Sequence, residues 1–208
     1  MENKYLEIVA HYESCLEKFG DTHLGVDWPD QNDANKRYKI MSELIKGESD
    51  SDVSLLDFGC GASHFYEYLQ ANNCRNIIYS GLDLSQKFID LSKRKFPRNE
   101  YFCLDILNEK NDFPRFDYVV LNGVFTEKCG LHYEQMLNYF KALLVEVFSI
   151  TQVGIAFNVM SKNVDWERDD LFHLPLDTLS DFLVNNISRN FIIRNDYGLY
   201  EYTVYVYR

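Results

Sequence analysis

Short apolar runs alternate along the chain with longer segments whose apolar residues recur every three or four positions. The short runs are typical of buried β-strands, and the longer segments have the period of amphipathic helices. We predict seven strands, at residues 53–58, 76–82, 100–104, 118–121, 152–157, 191–194 and 201–207. Helices are predicted at residues 1–19, 33–45, 64–70, 86–95, 134–150 and 176–187.

Two of these helices have a candidate N-cap, and the first has an irregular pattern. Asp33 is the predicted cap of the second helix and Ser85 that of the fourth, because short polar side chains can bind the free N–H groups of a first turn. The apolar positions of the first helix are Leu6, Val9, Ala10, Leu16 and Phe19.

The order of these elements predicts the fold class. Buried strands that alternate with helices are typical of a mainly parallel, doubly wound α/β sheet. The last two strands are separated only by a turn around Gly198, so we expect them to form an antiparallel hairpin at one edge. The segment before strand one is long. We therefore predict an N-terminal helical cap at 1–50 and an α/β domain at 51–208.

Composition and charge exclude several function classes. The 208 residues include 32 Asp and Glu against 21 Lys and Arg, a formal net charge of −11. Because affinity for phosphate comes from clustered Lys and Arg, nucleic acid is not an expected partner. No apolar run approaches the roughly 20 residues of a membrane span. The first residues resemble no signal peptide, so no membrane partner is expected.

The cysteines suggest a reducing compartment. They are widely spaced, without a C-x-x-C pair, and their number is odd: Cys15, Cys60, Cys74, Cys103 and Cys129. This pattern indicates free thiols, not a disulfide framework or a zinc site. The expected location is the cytoplasm.

The ends of the predicted strands carry the candidate site. In doubly wound sheets, ligands bind at the carboxyl ends of the strands. Strand one ends at Asp57, Gly59 and Gly61, and glycines allow the backbone to approach a ligand closely. Strand two ends at Asp83, where a carboxylate can bind ribose hydroxyls. Strands three and four end at Asp105 and Asn122.

A dinucleotide-binding motif would require a third glycine where His64 stands. The chain also lacks a Tyr-x-x-x-Lys dyad. Asp57, two residues before Gly59, instead favours a ligand that has an ammonium group and no phosphate.

Residues 57–63, Asp-Phe-Gly-Cys-Gly-Ala-Ser, resemble the first motif of the class I S-adenosylmethionine-dependent methyltransferases, acidic-x-Gly-x-Gly-x-Gly. Ser63 stands in place of the last glycine. The resemblance covers residues 53–208. Within the family, the chain is most similar to small bacterial members that have an N-terminal cap. It implies a Rossmann-like sheet, S-adenosylmethionine (SAM) as cofactor and S-adenosylhomocysteine (SAH) as product.

The resemblance also implies roles for single residues. Asp57 would organise the methionine ammonium, Asp83 the ribose hydroxyls and Asp105 the adenine amino group. Leu84 would pack on adenine beside the Ile106 backbone. The implied cofactor-binding residues are Asp57, Gly59, Cys60, Gly61, Asp83, Leu84, Asp105, Ile106, Asn122, Arg37 and Trp28.

Trp28 and Arg37 allow two interpretations. The segment that contains them is similar to one that folds over the cofactor in some small bacterial members, which would place Arg37 near the methionine carboxylate and Trp28 over the pocket. Alternatively, Trp28 pins the cap to the sheet and Arg37 lies on a solvated helix face.

Methyl transfer from a sulfonium is an in-line displacement that depends mainly on positioning. A base is needed only for a hydroxyl or a protonated amine. His132 and His173 follow strands four and five and are the candidate bases, although a structural role is more common for such residues. The charged loop at 158–173 could hold a hard metal, but such loops are usually solvated, so no metal is expected.

The predicted function is methyl transfer to an O or N atom of a small-molecule acceptor. Asn122 is followed by Gly123, without the two prolines of base-amine methyltransferases, so nucleic acid is a poor substrate. A non-catalytic nucleoside-binding module on the same fold and a nicotinamide-dependent oxidoreductase are the alternatives. The oligomeric state is left open.

Overall fold

The computed structural model describes residues 5–45, 51–74, 76–109 and 113–208. Its helices are α1 (Leu6–Phe19), α2 (Gln31–Ser42), α3 (His64–Ala71), α4 (Gln86–Lys95), α5 (Tyr133–Ser149) and α6 (Leu176–Asn186), with a 3₁₀ helix at His23–Val26. Its strands are β1 (Val53–Phe58), β2 (Ile77–Asp83), β3 (Glu100–Cys103), β4 (Phe116–Phe125), β5 (Thr151–Ser161), β6 (His173–Leu174), β7 (Phe191–Arg194) and β8 (Glu201–Tyr207).

The strands form one mixed sheet in the order β3-β2-β1-β4-β5-β8-β7, and the short β6 pairs with β5. Strands β1 to β5 run parallel, whereas β8 is antiparallel to both β5 and β7. The predicted mainly parallel sheet with an antiparallel C-terminal strand pair is confirmed. Within that pair, β7 forms the edge and β8 lies inside the sheet.

Helices cover both faces of the sheet, so the strands are buried on both sides. Neighbouring residues of β1 illustrate this: Leu55 belongs to the core beneath α2 and α3, and Leu56 to the core beneath α5 and α6. Because side chains of a strand alternate between the two faces, a strand with both faces buried reads as a continuous apolar run. This is why the strands were recognisable in the sequence.

The central strands β4 and β5 extend further than predicted. Both continue past the last apolar residue of their runs, through Asn122 and Gly123 in β4 and through Asn158 in β5. The side chain of Asn158 compensates for the irregular pairing there, because its Oδ1 accepts a hydrogen bond from the Gly123 N–H at 2.8 Å. Polar residues thus prolong the strands towards the candidate site.

Helix α2 begins earlier than predicted, and its N-cap is Asp30, not Asp33. The Asp30 carboxylate accepts from the N–H groups of Asn32 (2.7 Å) and Asp33 (3.1 Å). Asp33 instead lies in the first turn, where a negative charge still favours the helix dipole. The predicted Ser85 cap is confirmed, since its hydroxyl accepts from the Phe88 N–H.

A buried ion pair fixes α2 to the sheet. The Arg37 Nε lies 3.0 and 2.9 Å from the two carboxylate oxygens of Glu201, and Nη2 lies 2.8 Å from Oε2. Glu201 opens β8, is 1% exposed, and also accepts from Asn158 Nδ2 at 3.0 Å. A buried carboxylate is costly without such partners, so the position of α2 depends on Arg37.

Two tyrosines of β8 strengthen this attachment at the other end of α2. The Tyr205 hydroxyl donates to the Ile40 carbonyl at 2.6 Å, and the Tyr207 hydroxyl donates to the Leu44 carbonyl at 3.3 Å. These bonds join the last turn of α2 and the residues that follow it to β8. In the part of the chain that the structure describes, no helix combines the length and apolar character needed to cross a membrane.

The Arg37–Glu201 pair is expected to dominate the attachment of α2. Arg37→Met should lower the free energy of unfolding by about 3–5 kcal/mol, because it leaves Glu201 buried without a cation. The double variant Arg37→Met/Glu201→Met should recover part of this loss. Chemical denaturation measures both, with Arg194→Met as the control, since the exposed Arg194–Glu43 pair should contribute about 1 kcal/mol or less. Equal losses of the free energy of unfolding for Arg37→Met and Arg194→Met would contradict the prediction.

Candidate functional site

A cavity opens at the carboxyl ends of β1, β2 and β4, and α1 and the segment after the 3₁₀ helix cover it. Its wall on the sheet side includes Asp57, Gly59, Cys60, Gly61, Asp83, Leu84, Asn122 and Gly123. Its wall on the cap side includes Tyr5, Ile8, Val9, Tyr12, Val26 and Trp28. This is the place where a doubly wound sheet binds its ligands.

The turn after β1 requires glycine for two reasons. Gly59 and Gly61 have φ angles of 74° and 50°, in the left-handed region that favours glycine. A Cβ at Gly59 would also lie 2.7 Å from Cγ2 of Val124, closer than packed atoms allow. The backbone of this turn therefore lines the cavity directly.

Asp57 lies at the base of the cavity, only 2% exposed. Its Oδ2 accepts a hydrogen bond from the Tyr79 hydroxyl at 2.7 Å. Burial raises the pKa of this carboxyl to about 7, and the nearby Asp83 carboxylate adds to the shift. Asp57 is thus poised to become fully ionised when a cation binds beside it.

Ser63, which replaces the third glycine of the motif, also has a left-handed backbone, with φ of 57°. Its side chain is fully buried beneath the turn, and its hydroxyl donates to Ser92 Oγ at 2.8 Å. Ser92 in turn donates to the Gly61 carbonyl at 2.9 Å. The serine hydroxyls therefore support the glycine turn from below.

Asp83 holds the other side of the same turn. Its Oδ2 accepts from the Gly61 N–H and its Oδ1 from the Ser85 N–H, both at 2.9 Å. Burial raises the pKa of this carboxyl above its usual value. Each carboxylate oxygen can accept a second donor, so Asp83 retains the capacity to bind hydroxyl groups of a ligand.

Asn122 contributes an acceptor without a partner. Its Oδ1 is buried, and no described group donates to it. Buried polar atoms almost always have a hydrogen-bond partner, so such an atom on a cavity wall indicates a donor supplied by a ligand.

Asp105 and Ile106 lie outside the cavity wall. The Asp105 carboxylate accepts from Leu107 N (3.0 Å), from Asn108 Nδ2 (2.7 Å) and from the Tyr5 hydroxyl. Ile106 is buried in the core. The carboxylate expected to bind an adenine amino group is thus engaged by a tyrosine of the cap.

Trp28 and Arg37 are placed differently from each other. Trp28 lies on the wall and covers Gly123 so closely that a Cβ there would be 2.9 Å from Cζ2 of its ring. Arg37 is not among the residues of the wall; its guanidinium lies 4.1 Å from the Trp28 ring centre and binds Glu201. Trp28 therefore both covers the cavity and pins the cap, while Arg37 holds Trp28 and Glu201 in place. The geometry does not place Arg37 at a ligand carboxylate, nor on a solvated face.

Neither candidate base reaches the cavity wall. His173 is buried, with Nδ1 2.7 Å from the Ser161 carbonyl oxygen and Nε2 accepting from the Arg168 N–H at 3.3 Å. Both ring nitrogens therefore bind backbone groups, which is a structural role. His132 is exposed at the N-cap of α5.

The apolar positions predicted for the first helix do not include the face of α1 that lines the cavity. Tyr5, Ile8 and Tyr12 form one stripe of α1 and pack on the core, whereas Leu6 and Phe19 of the predicted apolar set are exposed. Counting tyrosine as amphipathic at positions three and four apart would have revealed this face.

Comparisons with known proteins agree with this geometry. A family model described as a methyltransferase domain matches residues 56–146. A Mycobacterium tuberculosis protein, Rv1506c, provisionally named a methyltransferase, is 25% identical over 158 residues, covering 74% of this chain and 92% of the relative. The resemblance to the class I SAM-dependent methyltransferases is confirmed.

Solved methyltransferase structures share the fold across their whole length. Magnesium protoporphyrin IX methyltransferase from Synechocystis PCC 6803, with bound SAH, aligns with a TM-score of 0.65 at 12% identity and covers 99% of this chain and 100% of its own. The plantazolicin methyltransferase BpumL, in complex with a triazolic desmethylPZN analog and SAH, aligns with a TM-score of 0.63 at 13% identity and covers 100% and 99%. At these identities the likeness shows that this chain has the fold of the two methyltransferases, both of which were crystallised with SAH.

The buried Asp57 carboxyl is expected to reduce stability as the pH rises. Its pKa is about 7 in the folded protein and about 3.9 when unfolded, so the folded state keeps a proton that the unfolded state releases. The stability from this proton is complete below about pH 4 and is lost as the pH rises through about 7. The difference in melting temperature, Asp57→Asn minus the unmodified protein, should therefore become more positive from pH 5 to pH 8. Asp90→Asn, at an exposed position, is the control. A difference in melting temperature for Asp57→Asn that does not change with pH would contradict the prediction.

Proposed function

We propose that this protein transfers a methyl group from SAM to an O or N atom of a small-molecule acceptor. The observation that carries the proposal is the electrostatic character of the cavity. The buried Asp57 carboxyl, the partly buried Asp83 carboxylate and an unpartnered amide oxygen, Asn122 Oδ1, face it. None of the described residues of its wall is Lys or Arg.

This arrangement favours a cationic nucleoside over a dinucleotide. A pyrophosphate carries negative charge and would meet two carboxylates without a basic side chain on the described wall. SAM carries a sulfonium and an ammonium group, which both carboxylates attract. The ribose hydroxyls of its nucleoside need acceptors, which carboxylates provide.

Residues on the sheet side of the wall have proposed roles in holding SAM. Asp57 and the Asn122 amide oxygen accept from the ammonium, and Asp83 accepts from the ribose hydroxyls. Leu84 supplies apolar contact for the adenine ring. The Gly59–Gly61 backbone, including that of Cys60, lines the nucleoside.

The Tyr5–Asp105 hydrogen bond has a consequence for cofactor binding. Tyr5 lies on the cavity wall, whereas Asp105, to which its hydroxyl donates, does not, so contact between adenine and Asp105 requires the Tyr5 ring to move. Tyr5 stacks on Tyr139, with ring centres 4.8 Å apart, and both rings line the cavity. Entry of the nucleoside is therefore proposed to include movement of the start of α1.

SAM, when bound, supplies an activated methyl group, so the protein needs few groups that take part in bonding changes. The chain's own residues align the acceptor and exclude water. Trp28 and Tyr12 of the cap form aromatic walls beside Asn122 and Gly123, at the end of β4. Holding two reactants in line can supply roughly 7–11 kcal/mol of a barrier.

The cap and the absence of basic side chains on the described wall support a small acceptor and argue against nucleic acid. The named neighbours are a magnesium protoporphyrin IX methyltransferase and a plantazolicin methyltransferase in complex with a triazolic desmethylPZN analog, so the fold accepts different organic molecules. For this chain we propose a small molecule that presents a hydroxyl or an amine between Trp28 and Asn122.

Binding of the product analogue tests the cofactor part of the proposal. SAH should raise the melting temperature of the unmodified protein, and Asp83→Ala should abolish the shift because it removes the acceptor for the ribose hydroxyls. Asp90→Ala, on the exposed side of the neighbouring α4, should keep the full shift. The proposal fails if millimolar SAM and SAH leave the melting temperature unchanged, or if NADH gives a larger shift than either.

An acceptor screen that reads SAH release tests the reaction itself. Hydroxyl and amine small molecules are the panel, with single-stranded oligonucleotides as a matched negative set. We expect turnover with members of the small-molecule panel and none with the oligonucleotides. Cofactor binding without turnover on any acceptor would instead indicate a non-catalytic nucleoside-binding module.

A further inference from the structure

A second group of ligand-forming side chains lies in the cap, outside the cofactor cavity. His11 and Cys15 are on α1, and Asp27 follows the 3₁₀ helix directly. His11 Nε2 lies 2.8 Å from Asp27 Oδ2 and 3.9 Å from Cys15 Sγ. One ligand atom from each of the three residues lies within 4.8 Å of the other two.

We propose that His11, Cys15 and Asp27 bind one divalent transition-metal ion of the zinc class. An imidazole nitrogen, a thiolate and a carboxylate are the donors that Zn²⁺ prefers, at about 2.0–2.3 Å from the ion. Three protein ligands leave a fourth tetrahedral position, which a water molecule can take. The cysteine spacing alone predicted no zinc site, because two of the three ligands are not cysteines.

The geometry separates a metal site from a catalytic triad. In a Cys-His-Asp triad, the carboxylate holds one imidazole nitrogen and the thiol faces the other, so that a proton can pass between them. Here the same atom, His11 Nε2, faces both the Asp27 carboxylate and the Cys15 thiol. Three donor atoms that converge on one point can share a cation, whereas they cannot relay a proton through the ring.

The backbone holds these ligands in place before any ion arrives. His11 and Cys15 are four residues apart on a helix, which places both side chains on one face. Asp27 has a left-handed backbone with φ of 59°, and its N–H donates to the Leu24 carbonyl at 3.1 Å. Two rigid elements therefore present the three side chains to each other.

The surroundings favour a cation, and the site is open to solvent. The Glu127 carboxylate interacts electrostatically with all three side chains of the cluster, whereas the Lys18 and Arg168 cations act in the opposite direction. The His11 and Asp27 side chains are 39% and 33% exposed, so an ion can enter without unfolding the cap.

Metal binding would join the two segments of the cap that cover the cavity. Val9 and Tyr12 of α1 and Val26 and Trp28 beside Asp27 all lie on its wall. An ion at His11, Cys15 and Asp27 would hold these segments together. The inference does not depend on the identity of the cofactor.

Titration of the full, tag-free chain with Co²⁺ and with Zn²⁺ tests the site. We expect one ion per chain, a thiolate-to-cobalt charge-transfer band that Zn²⁺ removes, and proton release on binding. Cys15→Ser should abolish the band, and His11→Ala should weaken binding by roughly tenfold or more. The exposed Cys103→Ser, as control, should keep both the band and the affinity.

The Cys15→Ser and His11→Ala variants are compared with the unmodified protein by circular dichroism, so that misfolding is distinguished from loss of a ligand. A folded Cys15→Ser protein that retains the band and the affinity would overturn the proposal. So would failure of the unmodified protein to bind either ion at micromolar concentration, which would leave His11, Cys15 and Asp27 as a hydrogen-bonded group only.

Discussion

The site depends on one constraint, the full burial of the Asp57 carboxyl and the partial burial of the Asp83 carboxylate at the carboxyl ends of β1 and β2. Neither has a basic side chain among the described residues of the cavity wall, so their partners are the Tyr79 hydroxyl and the N–H groups of Gly61 and Ser85. These donors compensate only part of the desolvation that raises both pKa values. The remaining cost is relieved by a proton or by a bound cation, so the preference of the cavity for a cation is already present before a ligand binds.

The cap and the site share one chain of polar contacts. Arg37 binds Glu201, Glu201 accepts from Asn158, and Asn158 accepts from the Gly123 N–H, directly beneath Trp28. The same contacts that attach α2 therefore also set the end of β4, where Asn122 points into the cavity. Loss of the Arg37–Glu201 pair should therefore disturb the end of β4 as well as the position of α2.

Most of the sheet could be predicted because its strands are buried on both faces, which makes them continuous apolar runs. The glycine turn and Asp83 could be predicted because their positions relative to the strand ends are fixed by the fold. Arg37 could not, because its partner Glu201 is 164 residues away and a sequence does not reveal which distant carboxylate is buried. The tyrosine stripe of α1 was hidden for a different reason, since tyrosine belongs equally to apolar and polar patterns.

The separation between Arg37 and Glu201 also affects how the molecule assembles during translation. Elements α2 and β8 stand at opposite ends of the chain order, and every intervening strand of the sheet is synthesised between them. A nascent chain that has completed the glycine turn still lacks the carboxylate that orients Arg37 and, through it, Trp28. Contacts between residues far apart in the sequence are slow to form, because closing the long loop between them costs chain entropy before the contact contributes any stability. Until β8 has been synthesised, Arg37 has no Glu201 carboxylate to bind, so the attachment of α2 to the sheet depends on the last strand in the chain order.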